Sequence, residues 1–213
     1  MKNKLLLISG MDFAGKSTVV KDIANLHSKE MIVREKLISP PENNKKWQMI
    51  IRIRKSAVWT MEWNVEQREK YEDLMYEALR YDLEQFCPLE LQLIQDTLFL
   101  IKRYARLIKD NNIKLLEKNK ILNSLLPKMD SIYLTASPKE RLRRFNVRMN
   151  SGSKITKGDQ LLHDDPKKFF ELDDIYKEQI FRLFPNTLLI DTTNTTSSEA
   201  AFEIIKSMKK IYE

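Results

Sequence analysis

A short glycine-containing segment near the amino terminus carries the strongest chemical signal in this sequence. Residues 10–17 read GMDFAGKS and fit the pattern G-x-x-x-x-G-K-[ST], which is typical of a phosphate-binding loop. Such a loop directs converging backbone N–H groups, and the positive end of a helix dipole, at a polyphosphate. The candidate nucleotide-binding residues are Gly10, Met11, Asp12, Phe13, Ala14, Gly15, Lys16, Ser17 and Thr18.

Two side chains of this loop have defined roles in such a site. Lys16 can reach the β- and γ-phosphates, and Ser17 can place its hydroxyl on Mg²⁺. The chain has only four glycines, where average usage of about 7% would give roughly fifteen, and two of them lie in this loop. The pattern therefore predicts a bound nucleoside triphosphate with Mg²⁺. The other interpretation is a glycine turn before a surface helix, with Lys16 in solvent.

The loop needs a strand before it and a helix after it, and the hydrophobic pattern predicts both. Residues 5–8 read LLLI, as in a buried strand, and Val19, Val20 and Ile23 then share one side of a helical period. Further strands are predicted at 31–33, 89–95, 131–136 and 187–191, and helices at 98–108, 113–126 and 199–211. This alternation predicts a mainly parallel five-stranded α/β sheet flanked by helices, and together with the phosphate-binding loop it indicates a P-loop NTPase fold.

Length and composition indicate one folded domain over residues 1–213. Hydrophobic residues make up 42% of the chain and charged residues 31%, close to the soluble average, which excludes disorder and a coiled coil. We predict a helical insertion on the substrate side at about residues 44–87.

Charge and cysteine content limit the expected cellular location of the protein and the classes of partner that it can bind. The apolar run near the amino terminus is too short for a signal peptide or a membrane span, and the single Cys87 cannot form an internal disulfide. We therefore predict a cytoplasmic protein without a membrane partner. The net charge of +7 favours phosphate-bearing partners, but the basic residues are scattered among acids, so nucleic acid is not the expected one. We also allow for a homodimer.

The segment from Ser9 to Thr18 resembles the phosphate loop of the thymidylate kinase and deoxynucleoside kinase group of P-loop kinases. That loop commonly carries an acidic residue two places after the first glycine, as Asp12 does here. Phe13 is a departure, because glycine is usual there in thymidylate kinases. The resemblance implies transfer of a phosphoryl group from ATP, with Mg²⁺, to a small nucleoside or nucleoside monophosphate acceptor.

A second match concerns the arginines that follow the strand at 131–136. The order of strand, Pro138 and arginine-rich helix is similar to the segment that leads into the lid of this group, whose arginines close over the transferring phosphoryl group. Arg144 and Arg148 lie one helical turn apart and can face the same site. The resemblance therefore implies an arginine-bearing lid at about residues 144–160, and Gly152 and Gly158 bracket a segment suited to such mobility. The alternative is a solvated helix face, which also contains Arg141 and Arg143.

The acceptor side is marked by residues that follow two strands. Asp96 stands where the group has an acidic residue that assists Mg²⁺ or lies near the acceptor, but the arginine that follows it in the group is Thr97 here. Asp96 is equally suited to a helix N-cap. In the group's acceptor motif, Glu35 would be a base toward a nucleoside hydroxyl, or Arg34 would bind an acceptor phosphate. An exposed loop pair explains Arg34 and Glu35 as well.

Residues 189–194 and the overall function each allow two interpretations of the sequence. Residues 189–194 resemble the last strand and adenine-lining loop of the group, although a turn that caps a helix explains the same residues. A nucleotide-binding regulator with slow hydrolysis and no acceptor is the alternative function, since the phosphate loop is shared by kinases and switches.

Overall fold

A computed structural model of the chain describes residues 5–26, 31–34, 91–95, 129–153, 155 and 157–212, together with Gln48 and Glu66. Within these ranges five strands form one sheet: β1 (Leu5–Ser9), β2 (Met31–Arg34), β3 (Leu91–Gln95), β4 (Met129–Thr135) and β5 (Leu188–Asp191). Their order is β2-β3-β1-β4-β5, and every neighbouring pair is parallel. The predicted five-stranded parallel sheet is confirmed.

The described helices are α1 (Lys16–Leu26), α2 (Pro138–Asn150), α3 (Lys157–Asp164), α4 (Pro166–Leu183) and α5 (Ser197–Tyr212). Local sequence explains where three of them begin. Ser137 and Asp165 each stand directly before a proline, and each side chain accepts a backbone N–H three residues later. Thr196 and Glu199 bond reciprocally as a capping box, so α5 begins two residues earlier than the predicted 199.

Both faces of the sheet are covered in the described region. On one face, a buried apolar cluster joins strands β1, β4 and β5 to helices α1 and α5; its members include Ile8, Val20, Ile132 and Ile204. On the other face, the buried Tyr133 of β4 packs its ring near those of Tyr176 and Phe181 on α4. The continuous apolar run of β1 is buried because it lies in the middle of this layered core.

Several predicted elements fall outside the described residues. These are the helical insertion at 44–87, apart from Gln48 and Glu66, and the helices at 98–108 and 113–126. No helix of the described residues is long and apolar enough to cross a membrane.

Candidate functional site

The parallel sheet brings the carboxyl ends of its strands to a single edge. The loop at residues 10–15 leaves β1 at this edge, between the ends of β3 and β4. Arg34 and Gln95, the last residues of β2 and β3, end at the same edge by their pairing register. Ligands of open α/β sheets bind along such an edge.

The two glycines of the loop occupy backbone conformations that other residues rarely adopt. Gly10 has a φ of 137°, and a Cβ placed on it would lie 2.3 Å from the backbone oxygen of Leu134 in β4. Gly15 has a φ of 87° where the loop enters α1. Glycine therefore suits these two positions because of their backbone conformation, and at Gly10 also because there is no room for a Cβ.

Lys16 turns back over the loop that precedes it. Its Nζ donates to the backbone oxygens of Gly10, at 2.6 Å, and Met11, at 3.1 Å, and the residue is only 8% exposed. The ammonium group is therefore fixed at the mouth of the loop, and Lys16 is not in solvent as the alternative interpretation required. Ser17 and Thr18 are exposed on the first turn of α1. A hydroxyl at this place suits Mg²⁺, which keeps several waters and needs few protein ligands.

Phe13, at the crest of the loop, has a left-handed backbone with a φ of 63°. This conformation costs an ordinary residue roughly 1–2 kcal/mol. Its ring packs edge-on against that of Phe145 in α2, with centroids 5.5 Å apart. The sequence marked Phe13 as a departure from the usual glycine, and the structure shows that the departure places an aromatic ring between the loop and α2.

Arg144 of α2 joins this loop to the end of β5. Its Nη1 donates to the backbone oxygen of Phe13 and to Thr192 Oγ1, each at 3.0 Å, and its Nη2 donates to the backbone oxygen of Thr192 at 2.6 Å. The Thr192 hydroxyl in turn lies 3.1 Å from the backbone oxygen of Ala14 and 2.9 Å from that of Thr135. The sequence analysis gave Thr192 no such role, and no local pattern would have indicated this contact.

Glu140 fixes the other side of the Arg144 guanidinium. It accepts from Arg144 Nε at 2.8 Å, and from Arg143 Nε and Nη2 at 2.7 Å each. Hydrogen bonds from Arg143, and then from Arg144, outweigh partial burial and lower the pKa of the Glu140 carboxyl from 4.5 to about 2. Arg143 itself is 64% exposed, so of these two arginines only Arg144 is turned toward the loop.

Arg148, one turn further along α2, approaches the same loop residue. Its guanidinium carbon lies 5.1 Å from the centre of the Phe13 ring, and its Nη1 lies 3.5 Å from Oδ1 of the buried Asp159 in α3. The Arg148 side chain is 45% exposed. The expectation that Arg144 and Arg148 share one side of the helix agrees with this geometry, since both contact Phe13; a role for either in catalysis stays a prediction.

A buried ion pair anchors the start of α2. Arg141 is 0% exposed; its Nη2 donates to Asp173 Oδ2 at 2.6 Å and to Thr135 Oγ1 at 3.0 Å, and its Nε donates to the backbone oxygen of Ala136 at 2.9 Å. Asp173 also accepts from the hydroxyl of Tyr133 at 2.5 Å. Burial, and then the charge of Asp173, raise the pKa of Tyr133 far above its ordinary value. The solvated-face interpretation is therefore wrong for Arg141.

Of the acceptor-side candidates, only Arg34 lies among the described residues, and only its backbone is described. Arg34 is the last residue of β2, at the edge of the sheet where the loop lies. Glu35 and Asp96 lie outside the described residues. Among the described residues no three His, Cys, Asp or Glu side chains lie together as a metal site. The loop after β5 is held to the end of β4, because Thr193 Oγ1 accepts the backbone N–H of Ser137 at 2.8 Å.

Comparisons with known proteins bear on the fold. No protein-family model matches the chain, and no curated protein matches it in sequence. Among solved structures, the chain is similar to thymidylate kinase from Candida albicans, with a TM-score of 0.57 and 12% identity over 99% of this chain and 93% of that one. It is similar to the YorR protein of Bacillus subtilis, solved in complex with phosphorylated GDP, with a TM-score of 0.56 and 17% identity over 98% of both chains. It is also similar to deoxyadenosine kinase from M. mycoides with bound dATP, with a TM-score of 0.54 and 22% identity over 100% of both chains.

These similarities extend over nearly the whole of each chain, and they agree with the parallel sheet and the loop described above. The protein therefore has the P-loop kinase fold. Within that fold, the similar solved structures include a thymidylate kinase and a deoxyadenosine kinase, in agreement with the group that the loop resembles. At 12–22% identity this likeness defines the fold, and the activity is a separate inference.

Proposed function

We propose that this protein transfers the γ-phosphoryl group of ATP, with Mg²⁺, to a nucleoside or a nucleoside monophosphate. The observation that carries the proposal is the contact of two α2 guanidinium groups with the crest of the phosphate loop, where Arg144 binds the Phe13 carbonyl and Arg148 lies over the Phe13 ring. The fold of the neighbouring kinases supports the same reaction class.

The described residues supply the parts that this reaction needs on the donor side. A phosphoryl transition state spreads negative charge over three equatorial oxygens, so positioning and positive charge provide most of the catalysis. Lys16 lies at the mouth of the loop, and Arg144 is held in place by Thr192 and Glu140. Ser17 would hold Mg²⁺, which when bound would supply positive charge to neutralise the phosphates. Asp96 is the second metal ligand that we propose.

The acceptor would approach from the β2 and β3 side of the same edge. The bond from the γ-phosphorus to the bridging oxygen breaks and leaves ADP, while a new P–O bond forms to the acceptor oxygen. In a nucleoside the acceptor is a hydroxyl, and Glu35 would take its proton. In a monophosphate the acceptor oxygen is already ionised, and Arg34 would bind the acceptor phosphate. Which of these two applies decides the substrate class.

The test is the release of ADP by the purified protein across a panel of nucleosides and nucleoside monophosphates, with ATP and Mg²⁺. We expect one class of acceptor to stimulate release, and Lys16→Met to lower kcat by about 100-fold or more. The matched control is Lys21→Met, because Lys21 is an exposed lysine on the outer side of the same helix. This control variant should retain the parent activity.

The alternative function is a regulatory P-loop protein without a small-molecule acceptor. It predicts ATP binding and slow hydrolysis that no member of the panel accelerates. That outcome, obtained with a protein that binds ATP tightly and keeps Lys16, would contradict the kinase proposal. A cytoplasmic location and a homodimer remain predictions of the sequence.

A further inference from the structure

Among the described residues, Phe13 is the only one other than glycine that has a positive φ. Its carbonyl accepts from Arg144, but a backbone carbonyl would accept equally well from a glycine, which adopts this conformation without strain. An interaction that offsets the backbone strain of Phe13, and that glycine could not make, must therefore come from the Phe13 side chain.

Three aromatic rings, those of Phe13, Phe145 and His163, contact one another in a row from the loop to α3. The Phe13 ring packs edge-on against Phe145, which is buried, and Phe145 stacks on the ring of His163 at 5.6 Å with an interplanar angle of 25°. The loop is thus attached through one side chain to α2 and, through α2, to α3. Both helices border residues 151–156, the centre of the predicted lid.

The guanidinium of Arg148 lies over the same Phe13 ring, with its carbon 5.1 Å from the ring centre. Cation–π attraction of this kind is weaker than pairing with a phosphate, so a bound triphosphate can draw the guanidinium away. Arg148 also contacts the buried Asp159 of α3, whose Oδ1 lies 3.5 Å from Arg148 Nη1. Without the ring, Asp159 alone would determine where the guanidinium rests.

We propose that Phe13 is a positioning residue that holds the guanidinium of Arg148 at the crest of the phosphate loop, within reach of the phosphoryl group to be transferred. This inference rests on the proposed function and assigns to the loop residue a part in it. Because the ring belongs to the loop, any adjustment of the loop around a nucleotide also moves the surface on which Arg148 rests.

The first experiment separates positioning from nucleotide binding. Phe13→Leu keeps an apolar side chain but removes the aromatic face, whereas Phe13→Tyr keeps the face. We expect Phe13→Leu to lower kcat about tenfold with the KM for ATP within about twofold, and Phe13→Tyr to stay within about threefold of the parent. Equal kcat values for the Leu variant and the parent, or equal losses in both variants, would overturn the proposal.

The second experiment does not depend on turnover. A double-mutant cycle combines Phe13→Leu with Arg148→Met, and thermal unfolding is measured without nucleotide. We expect the two changes in Tm to be non-additive by about 2 °C. The matched cycle uses Arg143→Met, which removes an exposed arginine of the same helix, and it should be additive.

The two experiments fail in distinguishable ways. If no acceptor stimulates ADP release but the Phe13 and Arg148 cycle is non-additive, the contact stands and the proposed function fails. An additive cycle overturns the positioning role of Phe13, whatever the turnover of the parent protein.

Discussion

The ion pair between Arg141 and Asp173 offers the sharpest test of how α2, the helix that carries Arg144, is held in place. Asp173 is the only carboxylate among the described residues that is bonded to the fully buried guanidinium, and it also accepts from the Tyr133 hydroxyl. The perturbation is Asp173→Ala, which removes both bonds and leaves the charge of Arg141 buried without a counterion.

The expected loss follows from these contacts. Removing one partner of a buried ion pair costs about 3–5 kcal/mol, and the hydroxyl that loses its acceptor adds about 1 kcal/mol. The total of about 4–6 kcal/mol corresponds to a fall in Tm on the order of 10–20 °C for a chain of this size. The remaining bonds of Arg141, to Ala136 and Thr135, limit the loss but supply no negative charge.

The assay is thermal unfolding followed by circular dichroism, with urea unfolding as an independent measure of the free energy. Asp174→Ala is the matched control, because Asp174 is the exposed neighbour on the same helix and its removal should change stability by less than about 0.5 kcal/mol. The double variant Arg141→Met with Asp173→Leu should recover more than half of the loss, since no charge is then left buried. A loss below about 1 kcal/mol for Asp173→Ala would refute the reasoning.

Two further predictions concern the loop and the pH dependence of stability. Gly10→Ala should destabilise the protein by more than about 2 kcal/mol and weaken ATP binding, because the new Cβ would lie 2.3 Å from the Leu134 oxygen; Gly152→Ala, with open space around it, should cost only about 1 kcal/mol. Glu140→Gln should lower the Tm at pH 7, and the difference from the parent should close as the pH falls from 4.5 to about 2, because the bond from Arg143 lowers the pKa of Glu140 in the folded state. A Tm difference that persists unchanged at pH 2 would contradict this assignment.

The parts of the site that the sequence predicted are those coded by local pattern. The loop follows from the spacing of Gly10, Gly15 and Lys16 after an apolar strand, and the strands follow from short apolar runs of the length that a parallel sheet buries. The common orientation of Arg144 and Arg148 follows from their four-residue separation on a helix.

The remaining contacts depend on where distant segments meet, which a hydrophobic pattern does not encode. Asp173 and Arg141 are 32 residues apart and belong to different helices, so the sequence suggested only a solvated helix face for Arg141 and no partner. Phe13 shows a different limit: its backbone conformation contradicts local preference, and the compensation lies in Phe145 and Arg148, far along the chain. Glu35 and Asp96, on which the acceptor prediction depends, lie outside the described residues.

The hydroxyl of Thr192 and the carbonyl of Ala14 are 178 residues apart in the chain, and α5, which completes the packing around α1, follows Thr192. During synthesis on the ribosome, the loop therefore emerges before β5 and α5, and it gains these supports only when both have left the exit tunnel. A prematurely terminated product that ends before Ser197 would contain the whole phosphate-binding sequence and still lack the helix that packs against it. Such fragments should bind nucleotide poorly, and the cell would treat them as incompletely folded chains.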